Sequence, residues 1–244
     1  MAIICRDLGL LFIQAPRTGC TAIEAVLIDR FGGEFLPADD IVRPDGFIRL
    51  QRKHCSIAQL LGDGLIPPDY ATRFKTVTAV RNPYDSLVSL YVKKRSTYQP
   101  LLKDPDAWVH KVRGYVQDME FCRTHSFEDW LANRHPVSAI DRLFGRGRRS
   151  LYGRYTDGVS VVMRFERLQE DFLTVMRDLG VEGDVRIPSI NTTPERRASY
   201  QSYYTPRARR IVEYVFQPDL ERYGYSFEGL SEQAGAVASP GRSA

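Results

Sequence analysis

The first residues able to act together on a ligand form the segment Pro16-Arg17-Thr18-Gly19-Cys20-Thr21. It lies between a short apolar run, Gly9 to Ala15, and a stretch in which Ile23, Val26, Leu27 and Phe31 recur at helical spacing. A loop that opens a helix offers unpaired backbone N–H groups and a partial positive charge, the chemistry of a phosphate site. Gly19 permits close backbone approach, Thr18 and Thr21 supply hydroxyl donors, and Arg17 adds a full charge. A triphosphate loop of the G-x-x-x-x-G-K-[ST] kind is excluded, because the chain contains no Gly-Lys pair. The plainer alternative makes Thr18 a helix cap and Arg17 a solvated charge.

A second constellation follows at Arg81-Asn82-Pro83-Tyr84-Asp85, continuing to Val88-Ser89-Leu90-Tyr91. Arg81 ends an alternating, β-branched run, Phe74 to Val80, and Pro83 suits the first turn of a helix. Ser89 then falls just beyond two helical turns from Arg81, so its hydroxyl and the guanidinium could meet one small anion. The alternative pairs Arg81 with Asp85 as a structural bridge.

The elements that must hold these groups follow from pattern. Gly9 to Ala15, Phe74 to Val80 and Val159 to Phe165 read as strands. Thr21 to Phe31, Ser56 to Leu61 and Glu166 to Leu179 read as helices, the first stopped by Gly32-Gly33 and the last by Gly180. Pro206 opens a last long helix. Between residues 95 and 150 helical pieces place Trp108, Val112, Val116 and Met119 on one face and Phe127, Trp130 and Leu131 on another. From about residue 231 onward Ser, Gly, Ala and Pro without periodicity predict a disordered tail after one domain spanning 1–230.

The two constellations together resemble the paired signature of sulfotransferases that use 3′-phosphoadenosine 5′-phosphosulfate. That signature has a 5′-phosphosulfate loop after the first strand and a 3′-phosphate motif R-N-P-x-D-x-x-V-S-x-Y. Further similarity lies in R-F-E-R-L at Arg164 to Leu168 with Asp171-Phe172 after it, N-T-T at Asn191 to Thr193, Y-Y-T-P at Tyr203 to Pro206 and Y-G-Y-x-F at Tyr223 to Phe227. The resemblance covers residues 9 to about 230. It implies a three-layer α/β fold with a central parallel sheet, related to the P-loop nucleotide kinases, with the donor lying across the carboxyl ends of the strands. It also implies that Arg17, Thr18, Gly19, Cys20 and Thr21 bind the 5′ end of the donor and that Arg81 and Ser89 bind its 3′-phosphate, without a metal. Arg17 stands where the family usually has lysine, exchanging a compact ammonium for a planar fork. Cys20 replaces a small residue and can still present its backbone N–H.

Sulfuryl transfer to a hydroxyl is an in-line displacement in which the nucleophile sheds a proton and the leaving phosphate gains charge. Arg17 suits the leaving group, and histidine suits the base. Of the four histidines, His110, His125 and His135 lie in the polar middle of the chain. His54 sits in R-K-H-C-S, where related bacterial and carbohydrate sulfotransferases carry a Lys-His pair, and is the candidate base. Asp40 or Asp45 is the alternative. Arg164 and Glu166 read as a structural pair, and the N-T-T loop falls near the nucleotide. The acceptor would be a small molecule or carbohydrate bearing a hydroxyl, with its pocket drawn from about 34–53 and 92–150.

The whole-chain numbers agree with a folded globular protein: 244 residues, 43% apolar and 26% charged, with a net charge of +4. No run long enough to span a membrane and no signal peptide is present, so a cytoplasmic protein is expected. Cys5, Cys20, Cys55 and Cys122 have no C-x-x-C spacing and should be free thiols. Two arginine clusters, Arg142, Arg146, Arg148 and Arg149, then Arg207, Arg209 and Arg210, could serve an anionic acceptor or nucleic acid, or be solvated faces. Two other functions stay open: a nucleotide-dependent kinase, against which the missing Gly-Lys pair counts, and a non-catalytic basic binding module, which would leave Arg17, Arg81 and Ser89 unconnected.

Overall fold

The computed structural model describes residues 2–188 and 199–230. The N-T-T segment and the residues from 231 onward lie outside the described residues. Strand β1 (Ala2–Cys5), which the apolar pattern passes over, forms a hairpin with β2 (Leu10–Ile13), the first expected strand, with Ile3 opposite Phe12. Gly9, at φ 64°, closes the turn between them by donating its N–H to the Arg6 carbonyl at 3.1 Å. So short a connection returns the chain antiparallel.

Helix α1 (Cys20–Phe31) crosses from β2 to β3 (Glu34–Leu36), which pairs antiparallel with the far side of β1. The Pro- and Gly-rich stretch that follows holds a small hairpin of β4 (Ile41–Val42) and β5 (Ile48–Leu50). Helices α2 (Ile57–Gly62) and α3 (Tyr70–Arg73) come next, α2 opened by a capping box of Ser56 and Gln59. Strand β6 (Lys75–Val80) then leads into α4 (Pro83–Val92). α4 runs on without a break into a π-helical turn, Lys93–Thr97, followed by 3-10 turns at Gln99–Lys103 and Trp108–Lys111.

Four helices follow, α5 (Tyr115–Thr124), α6 (Phe127–Arg134), α7 (Ala139–Leu143) and α8 (Gly153–Thr156). Strand β7 (Val161–Arg164) and a 3-10 turn, Phe165–Arg167, precede α9 (Leu168–Asp178). The one long C-terminal helix expected from Pro206 is two, α10 (Pro206–Val215) and α11 (Gln217–Tyr223). Pro218 accounts for the break, since it cannot donate to a continuing helix but fits the first turn of a new one.

The sheet order is β3-β1-β2-β6-β7. Strands β2, β6 and β7 run parallel, with Phe12 opposite Val77 and Ala79 opposite Met163, whereas β1 is antiparallel to both its neighbours. The expected parallel sheet is therefore a mixed one with a three-stranded parallel half. On one face Ile3, Leu10, Phe12, Val77 and Met163 pack on α1 and α9; on the other Ile4, Leu11, Ile13 and Val80 pack on α2, Tyr152, Tyr155 and Tyr223. A separate core joins α4, α6 and α10 through Leu87, Val88, Trp130, Leu131, Val212 and Phe216. All four cysteines are free and buried. Trp108 leaves the helical face expected for it and sits half-exposed in a 3-10 turn. No helix of the described residues is long and apolar enough to cross a membrane.

Candidate functional site

The carboxyl ends of β2, β6 and β7 deliver three segments to one edge of the parallel half: Gln14 to Gly19, Arg81 with Asn82, and Phe165 with Glu166. In the first of these, the Thr18 hydroxyl is buried and donates to the Ala15 carbonyl at 2.9 Å, so it folds the loop on itself. It does not cap α1. The N-cap of α1 is Gly19, at φ 76°, and no side chain bonds to the first turn. The opening N–H groups of Cys20 and Thr21 are thus left without a capping side chain, as an anion site requires. A Cβ on Gly19 would lie 2.7 Å from Leu168 Cδ2 and 3.3 Å from the Phe165 ring, so a side chain here would press on α9 and its approach as well as sit at a positive φ. Arg17 is held at φ 66°, the left-handed region, which turns its side chain away from the strand it follows.

That side chain crosses to the second constellation. Arg17 Nε and Nη2 donate to Ser89 Oγ at 3.1 and 2.7 Å. Arg81 Nη1 donates to the Arg17 carbonyl at 3.0 Å, while its Nε and Nη2 lie 2.8 and 2.7 Å from Asp85 Oδ2. Its guanidinium stacks 4.1 Å from the Phe165 ring centroid. Arg81 and Ser89 therefore meet through Arg17, and the bridge from Arg81 to Asp85, read above as an alternative, coexists with that role. Burial lowers the pKa of the Arg17 guanidinium, with the nearby Arg81 charge adding to the effect. Two confined cations thus lie close to an uncapped helix end, a combination whose chemistry suits an anion.

The edge is braced from below. Asn82 takes a bond from the Tyr84 N–H at 3.1 Å, so it caps α4, and gives its own N–H to Glu166 Oε1 at 2.9 Å. Glu166 also accepts from the Tyr225 hydroxyl at 2.8 Å, while Arg164 Nη2 reaches the Tyr223 carbonyl at 3.2 Å. Glu166 thereby ties the Arg81 turn to the C-terminal segment.

His54 joins the same edge from the β5–α2 connection. Its Nδ1 lies 2.9 Å from the Gln14 carbonyl, which makes Nδ1 the protonated nitrogen and leaves Nε2 with its lone pair. Burial pushes its pKa down to about 3, against which the bond to Gln14 acts only in part. The residue sits at φ 74°, and Arg154 Nη2 fixes its carbonyl at 2.9 Å. Lys53, beside it, places Nζ 3.3 Å from Thr21 Oγ1 and 3.8 Å from Glu24 Oε2, a further cation at the first turn of α1.

Asp40 and Asp45 do not join them. Asp40 accepts the Arg52 N–H and so fastens the strand leading to Lys53, and Asp45 closes its own turn on the Phe47 N–H at 3.1 Å. Of the remaining histidines, His125 stacks on Phe121 at 3.8 Å, buried His135 meets the Phe216 ring edge-on at 5.0 Å, and His110 lies in the 3-10 turn with Trp108.

Sequence reasoning missed Gln14 and the bracing role of Glu166. Gln14 is fully buried, and neither atom of its side-chain amide has a hydrogen-bond partner among the described residues. The signal was present, since Gln14 is the one polar side chain ending an otherwise apolar run. Within electrostatic reach of Arg17 stand Tyr98 and Tyr115. Trp108 packs edge-on against both, at 5.6 and 4.8 Å, and is 37% exposed. A groove of about 530 Å³ beyond α4, lined by Tyr91, Arg95, Phe127 and Tyr203 among others, contains none of the candidate residues. Among the described residues no three His, Cys, Asp or Glu side chains are grouped as metal ligands.

Compared with known proteins, residues 1–226 match the model of the Sulfotransferase family. No curated protein and no solved structure matches the chain.

Proposed function

Since the chain belongs to the sulfotransferase family, we propose that it moves a sulfuryl group from 3′-phosphoadenosine 5′-phosphosulfate to a hydroxyl of a carbohydrate or glycosylated metabolite. One observation carries the choice of donor: Arg17 of the first loop is bonded at once to Ser89 and to Arg81 of the second motif. The cluster is a single cationic seat rather than two separate ones, and a donor with phosphates at both ends of a ribose matches it. The donor set fits such a group: an uncapped helix start, Thr21, Lys53 and Arg17 at one end, Arg81 and Ser89 at the other. Its position at the carboxyl ends of β2, β6 and β7 is where nucleotides bind in related α/β sheets.

In this reading the backbone N–H groups from Gly19 to Thr21, with Lys53 and Arg17, neutralise charge that builds on the leaving phosphate. Arg81, held in place by Asp85 and Phe165, and Ser89, through its bond to Arg17, select for the 3′-phosphate. His54 takes the acceptor proton on Nε2 as the acceptor oxygen bonds to sulfur and the sulfur–oxygen bond to the 5′-phosphate breaks. Its low pKa keeps it neutral before the donor arrives, and the donor's negative charges raise its basicity. The half-exposed Trp108, packed by Tyr98 and Tyr115 near Arg17, offers the aromatic face on which a sugar ring rests.

The test is calorimetry with 3′-phosphoadenosine 5′-phosphate against AMP. The bisphosphate should bind at least about tenfold more tightly, and Arg81→Ala should remove most of that margin. Equal affinity for the two nucleotides would overturn the assignment of donor. A turnover that chelation abolished and Mg²⁺ restored would favour a kinase instead.

A further inference from the structure

The first arginine cluster of the sequence takes no part in the site, and its surroundings give it a different meaning. Residues 138–149 form a folded knuckle standing on α10. Ser138 and Asp141 make a capping box at its start, the Arg146 N–H returns to the Asp141 carbonyl at 2.7 Å, and the Arg149 N–H bonds the Val215 carbonyl at 2.8 Å. Tyr214 Oη lies 2.7 Å from the carbonyl oxygens of both Asp141 and Arg146, pinning the knuckle from beneath.

What the knuckle presents outward is unlike the rest of the surface. Ile140, Leu143 and Phe144, spaced to share one side of a helical turn, are 63%, 80% and 66% exposed. The next most exposed large apolar residue described is Val42, at 47%. The same knuckle carries Arg142, Arg146, Arg148 and Arg149, all exposed and none in an ion pair among the described residues. Arg142 and Arg148 flank the Tyr214 ring at 5.5 and 5.4 Å, and Arg146 lies 5.4 Å from the Phe144 ring. The only acid of the segment, Asp141, is occupied by the Ser138 N–H and hydroxyl at 2.9 and 2.7 Å.

We propose that this knuckle docks the protein on an anionic lipid bilayer, with Ile140, Leu143 and Phe144 entering the boundary between headgroups and acyl chains and the four arginines meeting lipid phosphates and carboxylates. Charge complementarity selects the occupant together with the apolar tip. Nucleic acid would answer the arginines but gains nothing from an exposed Ile and Leu. A second copy of the chain meeting this face across a two-fold axis would set four arginines against four. A bilayer with anionic headgroups accepts both components at once.

The full chain should float with vesicles of phosphatidylcholine and phosphatidylserine at near-physiological salt and stay behind with vesicles of phosphatidylcholine alone. The double variant Leu143→Ser/Phe144→Ser should bind anionic vesicles at least about tenfold more weakly, and Arg146→Gln about fivefold more weakly. Binding of 3′-phosphoadenosine 5′-phosphate, or the far-ultraviolet circular dichroism should that ligand prove wrong, should be unchanged in these variants as a check of folding. In Phe144→Trp, the emission gained over the wild type should shift to the blue on anionic vesicles and not on phosphatidylcholine alone, since the shift reports transfer of the indole from water to an apolar environment. Equal binding to both vesicle types, no vesicle binding, or full binding by the Leu143→Ser/Phe144→Ser protein would overturn the proposal. So would RNA binding or dimerisation through these residues in a protein that leaves vesicles alone.

Discussion

If Ser89 acts on the donor through Arg17 rather than by itself, the two residues must be coupled, and a double-mutant cycle measures that coupling. Ser89 Oγ receives both Arg17 Nε and Nη2, at 3.1 and 2.7 Å. A hydrogen bond to a charged group contributes roughly 1.5 to 3 kcal/mol. Two donors share one oxygen here, so a coupling of about 1 to 2 kcal/mol is expected, or about 5- to 30-fold in Kd. The assay is the affinity for 3′-phosphoadenosine 5′-phosphate in the wild type, Ser89→Ala, Arg17→Ala and the double variant. Ser89→Ala should weaken binding about tenfold when Arg17 is present and no more than about twofold when it is absent. Arg17→Lys should restore charge without restoring the coupling, because an ammonium cannot place two fixed donors on the hydroxyl. Equal effects of Ser89→Ala in both backgrounds, within about 0.5 kcal/mol, would refute the reasoning and leave Ser89 as an independent contact.

Three other outcomes are expected. His54→Ala should lower kcat by about 10²- to 10⁴-fold with donor affinity nearly unchanged, and in the wild type kcat/KM for the donor, which reads the free enzyme, should show no loss centred at pH 6.5, since His54 there stays neutral far below that value. Single-turnover rates of the variant and kcat/KM across pH check the two statements. Buried His135 has its pKa pushed down to about 3 from 6.5 by burial, so the unfolded chain binds the extra proton first and stability falls as pH drops below 6.5. Between pH 7 and pH 5 this costs about 2 kcal/mol, and His135→Phe should show a correspondingly smaller decline in urea unfolding. Gly19→Ala should lose about 1 to 3 kcal/mol of stability, from a left-handed alanine and from the contact of its Cβ with Leu168, readable in the same denaturant titration.

Much of this arrangement is local and could be read from the chain. Pro83 announces α4, the stretch from Ser56 to Leu61 announces α2, and the sequence around Gly19 announces a loop that opens a helix. What escaped depends on distance along the chain. β1 is four apolar residues, too few for any periodicity, and is a strand only because β2 and β3 flank it. Arg81 and Ser89 have the spacing for a shared anion, yet the hydroxyl is taken by a guanidinium 72 positions away in sequence, a contact no pattern within one helix encodes. His54 was singled out through its Lys-His neighbourhood, but its tautomer follows from a carbonyl 40 positions earlier. Gln14, and the bonds of Glu166 beyond the pairing with Arg164, escape for the opposite reason: neither shows until the three strand ends are brought side by side.

The π-helical turn at Lys93–Thr97 has a consequence for how such a chain can vary. A turn of this kind carries one residue more than the α-helix needs, so everything after it is rotated by about 100° relative to a continued α4. Ser89 sits upstream of that extra residue and Tyr98, Trp108 and Tyr115 sit downstream. Deleting one residue from 93–97 would let the helix run on regularly, keeping Ser89 on Arg17 while swinging the aromatic group away from it. The turn is thus a register joint: the part of the chain that carries Ser89 and the part that carries Tyr98, Trp108 and Tyr115 can be re-phased against each other by a single insertion or deletion, without altering any residue of either.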